Sequence, residues 1–240
     1  MNVALDNSAL ADLETPLVAV AYFSDDGAPG ADFAALDKRA GGRLSLLATE
    51  EGFSGEPGKT LLVHTSDLAQ KRVLLVGVGK ASELKPVDLR KLSAVAVEEA
   101  DKRHLATAVV VVPGAIDAAA AVRYATEGVV LGAYRYTTWL TDDKDSKRWL
   151  EGVRLSVAGA ELAALKPVLA RAQAAASAVN MARDLVNAPP VECTPRRLAE
   201  VAATIAKDED LECVVFDEAR IDAEKMGLLA AVGRGSNEPP

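Results

Sequence analysis

The segment "NMARDLVNAPPVECTPRRLAE", residues 180–200, joins two helical patterns across a pair of prolines. The residue before a proline is disfavoured in the α conformation, and Asn tolerates the left-handed conformation in which many helices end. We therefore expect a left-handed Asn187 to end the first helix before the two prolines. Thr194 is a favoured helix-capping residue and Pro195 suits the first helical position, so a second helix should begin there.

The helix that precedes this junction carries an apolar stripe at three- and four-residue steps. The stripe consists of Leu165, Val168, Leu169, Ala172, Ala176, Val179 and Val186. Its spacing predicts a helix of about five turns within residues 161–187, linking two domains. Pro167 should lie in the first turn, where the missing N–H costs little. The Pro189–Pro190 and Thr194–Pro195 pairs would then fix the angle between the domains.

Upstream of this helix, continuous apolar runs predict strands buried on both faces. The runs are "PLVAVAYF" from Pro16, "TLLVH" from Thr60, "RVLLVGVG" from Arg72, "TAVVVVPG" from Thr107 and "VRLSVA" from Val153. Before the first run we expect irregular structure, and the second and third runs could pair as neighbours.

Helical patterns lie between the later strand runs. One starts at Pro86, with Leu89, Leu92, Ala96 and Ala100 on a single face, and another starts near Ala115. Strand alternating with helix predicts an α/β domain over residues 1–160.

Downstream of the junction, "LECVVFDE" from Leu211 predicts a strand, and the residues from Ala219 predict a helix that runs into a glycine-rich loop. One helix, one strand and part of another unit are too few to bury a core by themselves. We therefore expect residues 188–240 to be the truncated beginning of a second domain.

Composition limits the class of protein. The net charge is −8, which does not favour a polyanionic partner. Cys193 and Cys213 lack Cys-x-x-Cys spacing and are expected to be free thiols. No apolar run is long enough to span a membrane, and the N-terminus lacks the pattern of a secretory signal. We expect a cytoplasmic protein with no membrane partner.

The turn "GVGK", Gly77 to Lys80, occupies the place of a phosphate-binding loop between a strand and a helix. A Walker A loop would need glycine at Leu74 and Ser or Thr at Ala81, and a dinucleotide fingerprint would need glycine at Ser82. A tight strand-to-helix turn is the preferred interpretation, and phosphate binding is the alternative.

Other motifs favour ordinary structural roles. His64 and His104 have no partner at metal-ligand spacing. The acidic clusters from Thr141 and from Lys207 lack the glycine and terminal glutamate of a calcium loop. The tripeptide "VNA", residues 186–188, matches an ADP-ribose-binding loop of macro domains but follows a helix instead of a strand. The residues alone identify no group able to do chemistry.

Three segments carry a resemblance to a known family. "ARDLVNAPPVECTPRRLAEVA", from Ala182, resembles the opening of the catalytic domain in the leucyl aminopeptidase family of cytosolic dinuclear-metal enzymes. "KMGLLAAVGRGSNEPP", from Lys225, is similar to that family's Met-Gly-rich helix and Gly-x-Gly-Ser loop. "VLLVGVGKASELKPVDLRKL", from Val73, is similar to a strand, turn and helix of its N-terminal domain.

The resemblance implies a fold and a reaction. Residues 1–160 would form a macro-domain-like α/β domain with a mixed sheet flanked by helices, residues 161–187 a long linker helix, and residues 188–240 the truncated start of an α/β catalytic domain. The family releases N-terminal amino acids from peptides with two divalent metal ions, Mn or Zn, held by a lysine and several carboxylates. Its members assemble as homohexamers.

The family's metal-binding signature, Asn-Thr-Asp-Ala-Glu-Gly-Arg-Leu, does not occur in this sequence. Asp184, Glu192 and Glu238 lie in matching segments, at positions that the family uses for structure. The resemblance therefore assigns no catalytic, metal-binding or cofactor-binding residue. It implies that this chain binds no metal and is inactive alone, with peptide substrates bound by the missing part.

Two other functions remain open. The glycine turns at Gly77 and Gly114 motivate a macro-domain-type module that binds ADP-ribose or a nucleotide. DNA binding, known for some bacterial members of the family, has weaker support from basic residues between positions 71 and 103. These are Lys71, Arg72, Lys80, Lys85, Arg90, Lys91, Lys102 and Arg103.

Overall fold

The computed structural model describes residues 1–25, 30–142 and 149–236. The chain divides into two compact units, Met1–Asn180 and Met181–Pro240. The first unit contains every strand found in the described ranges, and the second is helical. None of the described helices has the length and apolar character needed to cross a membrane.

The elements have the following bounds. The strands are β1 (Asn2–Asp6), β2 (Val18–Phe23), β3 (Thr60–His64), β4 (Arg72–Gly79), β5 (Thr107–Val111) and β6 (Gly152–Ser156). The α-helices are α1 (Ala31–Arg39), α2 (Arg43–Glu50), α3 (Leu89–Lys102), α4 (Ala118–Gly132), α5 (Leu162–Asn187), α6 (Pro195–Asp208), α7 (Glu218–Ala223) and α8 (Gly227–Gly233). Short 3-10 turns occupy Leu10–Asp12, Ala81–Glu83 and Pro86–Asp88.

The six strands form one mixed sheet in the order β1-β6-β5-β2-β4-β3. Neighbouring strands are parallel except β3, which is antiparallel to β4. All five strands predicted before the long helix are present, and β3 and β4 pair as expected. The prediction of a mixed α/β architecture is confirmed.

The prediction of an irregular N-terminus is wrong for β1. This strand is only five residues long, and Val3 is its buried residue, so its sequence pattern is weak. Parallel pairing with β6, from Asn2 opposite Gly152 to Asp6 opposite Ser156, holds it at the sheet edge. Such pairing joins residues far apart in sequence, which a local pattern does not reveal. Helices α1 and α2 were also not predicted.

The sheet is buried on both faces, which explains the continuous apolar runs. Along β2, Ala19 and Ala21 belong to the core that α3 and α4 cover, while Val18 and Val20 belong to the core that α1 and α2 cover. Alternate residues of a strand point to opposite faces, so both sets must be apolar. The predicted stripe on α3 is buried as expected.

Helices α3 and α4 pack closely because glycines face the contact. A side chain at Gly128 would collide with the carbonyl group of Arg90, and a Cβ at Gly132 would lie 2.7 Å from the Cα of Ala94. These two positions let the helix backbones approach each other.

Helix α5 confirms the predicted long helix and corrects three details. It starts at Leu162, so Pro167 lies inside it and not in the first turn. Its 26 residues make about seven turns instead of the five predicted, although they fall within the predicted range 161–187. Val179 and Val186, which belong to the predicted apolar stripe, are not covered in the structure and are 45% and 83% exposed.

In the second unit, the strand predicted from Leu211 is absent. Residues 211–217 have no strand pairing, and Leu211 and Val214 are 62% and 67% exposed. A strand needs a partner for its N–H and C=O groups, and the described residues of this unit supply none. The helix predicted from Ala219 is divided into α7 and α8, with Lys225 at a positive φ of 56° between them.

Candidate functional site

The junction between α5 and α6 largely has the structure predicted from its sequence. Helix α5 ends with Asn187, as predicted, but Asn187 does not adopt the left-handed conformation. The N–H group of Ala188 still donates to the carbonyl of Asp184 at 2.9 Å, so the helical bonding runs one residue further. This extra bond removes the need for a left-handed cap at Asn187.

The two prolines lead into a turn that ends at the cap of α6. The carbonyl of Pro189 accepts hydrogen bonds from the N–H groups of Glu192 at 2.9 Å and Cys193 at 3.0 Å. The Thr194 hydroxyl then accepts from the N–H of Arg197 at 3.3 Å, with proline at the first helical position. The predicted cap is confirmed. The contacts described at this junction end one helix and begin the next, and they include no arrangement of side chains typical of a catalytic site.

The described residues do not fit a two-metal centre. They contain no group of three or more His, Cys, Asp or Glu side chains that could hold a metal ion. Asp184 lies on α5 and Glu192 lies in the proline turn, both exposed, while Glu238 lies outside the described residues. No reaction step through a metal ion can be derived from these side chains.

The histidines and cysteines have structural surroundings. His64 is exposed on β3, and His104 stacks on Trp149 with ring centroids 4.3 Å apart. Cys193 and Cys213 are free thiols, as predicted. Most of the acidic cluster from Thr141 lies outside the described residues, and the cluster from Lys207 is almost wholly exposed at the end of α6.

The "GVGK" stretch does not form the predicted tight turn, because Gly77 to Gly79 are the last residues of β4 and only Lys80 lies beyond the strand. The Gly77 N–H donates to the carbonyl of Lys59 at 2.9 Å, and the Gly77 carbonyl accepts from Gly58 at 3.0 Å. A side chain at Gly77 would collide with the carbonyl of Glu56, and Gly79 has a φ of 78°. Close backbone packing at Gly77 and the positive φ at Gly79 therefore favour glycine at these two strand positions. The chain next enters 3-10 turns, not an α-helix.

A crevice opens where strands β2 and β5 separate at their carboxyl ends. Their register covers only two pairs, Val18 with Val109 and Ala19 with Val110. The chain leaves β2 towards the β4 side of the sheet and leaves β5 towards the β6 side. Ligands of open α/β sheets bind at such points. The crevice has a volume of about 160 Å³.

The carboxyl group of Asp32 is an ionisable group in the lining of this crevice. It lies in the first turn of α1, and burial raises the pKa of its carboxyl above the ordinary value. Across the described ranges, no hydrogen bond or ion pair reaches this carboxyl. Gly114, on the opposite strand end, has open space where a side chain would stand. Gly114, which the sequence indicated as part of a possible ligand-binding turn, lines this crevice. The position of Asp32 beside it was not predicted.

Several of the basic residues between positions 71 and 103 have carboxylate partners. Arg103 pairs with Glu99, and Lys102 lies 2.7 Å from Glu98. Arg90 pairs with Glu127 on α4, whose other carboxylate oxygen lies 3.0 Å from Arg123. These ion pairs reduce the positive charge available to a phosphate backbone.

Two consecutive parts of the chain match known protein domains. Residues 19–143 match the N-terminal domain of the cytosol aminopeptidase family, and residues 180–240 match that family's catalytic domain. The chain belongs to the cytosol aminopeptidase family. The order of the two matches agrees with the order in which the sequence motifs occur.

Curated relatives in this family include two named probable cytosol aminopeptidases. The protein of Stenotrophomonas maltophilia (strain K279a) is 38% identical over 230 residues, covering 93% of this chain and 45% of the relative. The protein of Geobacter sp. (strain M21) is 30% identical over 241 residues, covering all of this chain and 49% of the relative. The chain spans about half the length of the curated relatives it matches.

Solved structures share the fold. A mutant of tomato leucine aminopeptidase matches with a TM-score of 0.86 at 24% identity, over 100% of this chain and 49% of that one. The bottromycin maturation enzyme BotP matches with a TM-score of 0.72 at 27% identity, over 94% and 44% of the two chains. BotP in complex with Mn matches with a TM-score of 0.71.

Proposed function

We propose that this chain is part of a cytoplasmic leucyl aminopeptidase that releases N-terminal amino acids from peptides by metal-assisted hydrolysis. The observation that carries the proposal is the pair of family matches, residues 19–143 and 180–240, which follow one another in the order of the family's two domains. The relatives' printed names support the same activity.

The two parts of the chain would have different roles in that enzyme. Residues 1–160 form the macro-domain-like accessory domain, residues 161–187 the linker helix, and residues 188–240 the beginning of the catalytic domain. The mixed six-stranded sheet supports the first assignment, and the continuous helix α5 supports the second. In this proposal the enzyme is a homohexamer.

The 240-residue chain itself is proposed to be inactive. Two divalent ions, Mn or Zn, would polarise the peptide carbonyl and activate water in the parent enzyme. The side chains described here do not form a group able to hold such ions. The solved complex of BotP with Mn supports a metal-dependent family chemistry.

An activity assay tests both parts of this proposal. The purified chain should not hydrolyse leucine p-nitroanilide with added Mn²⁺ or Zn²⁺, whereas the full-length Stenotrophomonas maltophilia relative should. A chimera that continues this chain, from its glycine loop, with the remaining residues of that relative should regain hydrolysis. Turnover by the chain alone would refute its inactivity. A folded chimera that binds metal but releases no amino acid from any leucyl peptide would refute the aminopeptidase assignment.

A second candidate function is binding of ADP-ribose or a nucleotide by the first unit. The crevice between β2 and β5, with Asp32 on one side and open space at Gly114 on the other, supports it, and its volume of about 160 Å³ would hold one part of such a ligand. Calorimetry with ADP-ribose should then show saturable binding that weakens about tenfold in Asp32→Asn but not in the exposed control Asp67→Asn. Absence of binding heat in the folded chain would remove this candidate. DNA is less favoured as a partner, because much of the basic stretch is neutralised by carboxylates.

A further inference from the structure

A second and larger cavity lies at the carboxyl end of β4, away from the β2 and β5 crevice. Its volume is about 570 Å³. Gly77 and Gly79 form one side, Pro57 and Gly58 another, and the 3-10 turns with the start of α3 the third. This is the size of a small-molecule site, and it lies at the sheet edge where α/β proteins bind ligands.

Three lysines and two carboxylates line this cavity. Lys80 lies 3.4 Å from Glu83, so their charges offset each other. The Asp88 carboxylate accepts a hydrogen bond at 2.8 Å from the backbone N–H of Lys85, which stabilises the turn before α3. In the chain segments that the structure describes, the ammonium groups of Lys85 and Lys91 have no carboxylate within ion-pair distance. The lining residues therefore carry a net positive charge.

Gly58 lies next to one of these ammonium groups. A side chain at position 58 would collide with Lys91 Nζ, so this group lies directly against the glycine backbone. The φ of Gly58 is 84°, a conformation that favours glycine. The backbone of the neighbouring loop thus leaves room for the Lys91 ammonium group at the cavity.

We propose that this cavity binds the phosphoryl group of a small molecule, with Lys85 and Lys91 as its cationic ligands. Lysine is a frequent phosphate ligand because its ammonium group acts as a compact point charge. A volume of about 570 Å³ fits a small ligand, whereas a nucleic acid duplex would require an extended basic surface. The site is independent of peptide hydrolysis, so it goes beyond the proposed aminopeptidase function.

Calorimetry on the 240-residue chain at low salt tests the site with inorganic pyrophosphate as the probe. The expected result is saturable binding at one site per chain. Lys91→Gln and Lys85→Gln should each raise the Kd about tenfold, because each removes a charge-assisted contact. Lys38→Gln, an exposed change on α1, is the matched control and should leave the Kd unchanged. Unchanged thermal midpoints would show that the lysine variants remain folded.

Two other probes distinguish the source of the anion. Succinate tests whether any dianion is accepted, and a short DNA duplex tests a nucleic acid backbone. Pyrophosphate binding that is at least tenfold tighter than succinate binding, with no lysine-dependent duplex binding, supports the proposal. Equal binding of succinate, duplex binding without pyrophosphate binding, absence of pyrophosphate heat, or wild-type Kd values in both lysine variants would each overturn it.

Discussion

The two compact units differ in how far their apolar side chains are buried. In Met1–Asn180, the central strands β2, β4 and β5 lie between two helical layers, and their valines and leucines are almost completely buried. In the described part of Met181–Pro240, Ala206 and Ile221 are the buried apolar residues.

Several large apolar residues of the second unit are exposed to solvent. Val191, Leu228 and Val232 are each at least 80% exposed. Side chains this exposed contribute little hydrophobic stabilisation. The comparison teaches that the first unit builds a complete core, whereas the second leaves its apolar residues without cover inside the described residues.

The largest expected effect contrasts the same substitution in the two units. Leu74→Ala removes a side chain that is completely buried in β4 and should lower the free energy of unfolding by about 2–5 kcal/mol. Leu228→Ala removes one that is 88% exposed and should change it by less than about 0.5 kcal/mol. Urea denaturation followed by circular dichroism measures both. Similar losses in the two variants would contradict the difference in packing.

A second test concerns the close contact of α3 and α4. Gly128→Ala places a methyl group against the backbone of Arg90 and should destabilise the first unit by about 1–3 kcal/mol. Gly227→Ala, where no atom lies within 4 Å of the added group, is the control from the second unit. If both variants unfold at the same urea concentration, the helices do not need the glycine contact.

A third test removes the carboxylate that joins α3 and α4. Glu127→Gln leaves Arg90 and Arg123 without a charged partner and should cost about 1–2 kcal/mol, since both arginines are partly exposed. Glu83→Gln, from an exposed pair with Lys80, should cost less than about 0.5 kcal/mol. Thermal unfolding at low salt compares the two. A larger effect from Glu83 would be incompatible with the burial of Glu127.

A fourth test compares one helix cap in each unit. Thr194→Ala should destabilise α6 by about 1 kcal/mol, seen as faster hydrogen exchange in that helix alone. Asp117→Ala removes the cap of α4, whose carboxylate accepts from Ala120 at 2.8 Å, and should lower the stability of the first unit by a similar amount. If Thr194→Ala changed hydrogen exchange in both units, or slowed folding, the two units would not be stabilised separately.

The smallest expected effect is a pH dependence at the edge of the first unit. Hydrogen bonds from Ser8 and the ion pair with Arg154 hold the pKa of Asp6 below its ordinary value. The folded state therefore prefers the charged form, and this stabilisation is lost as the pH falls from the unfolded-state pKa through the lower folded-state pKa. Asp6→Asn should remove less than about 1 kcal/mol at neutral pH and flatten the acid limb of the stability curve. An unchanged acid limb would refute this role.

Prediction from the sequence succeeded where local residues decide the structure. The runs that became β2, β4 and β5 are apolar at nearly every position because both faces are buried, and Thr194 caps α6 through its own hydroxyl. It failed where distant residues decide. Strand β1 exists through pairing with β6, and residues 211–217 have the composition of a strand but no described partner.

The candidate sites show the same limit. The tight turn predicted from the glycines of the "GVGK" stretch is the end of β4 in the structure. The cavity beside these glycines was not predicted either, since Gly58 and Lys91 are brought together by the packing of β4 against a loop and a helix. The crevice residue Asp32 depends likewise on where β2 and β5 separate.

Hydrogen exchange measured by mass spectrometry on the 240-residue chain tests most directly whether only the first unit has a complete core. Amides of β2, β4 and β5 should be protected up to the free energy of global unfolding. Residues 212–217, which have no strand pairing, should exchange nearly as fast as an unfolded peptide. Protection of residues 212–217 equal to that of β4 would contradict this, because it would mean that the second unit has closed a sheet of its own.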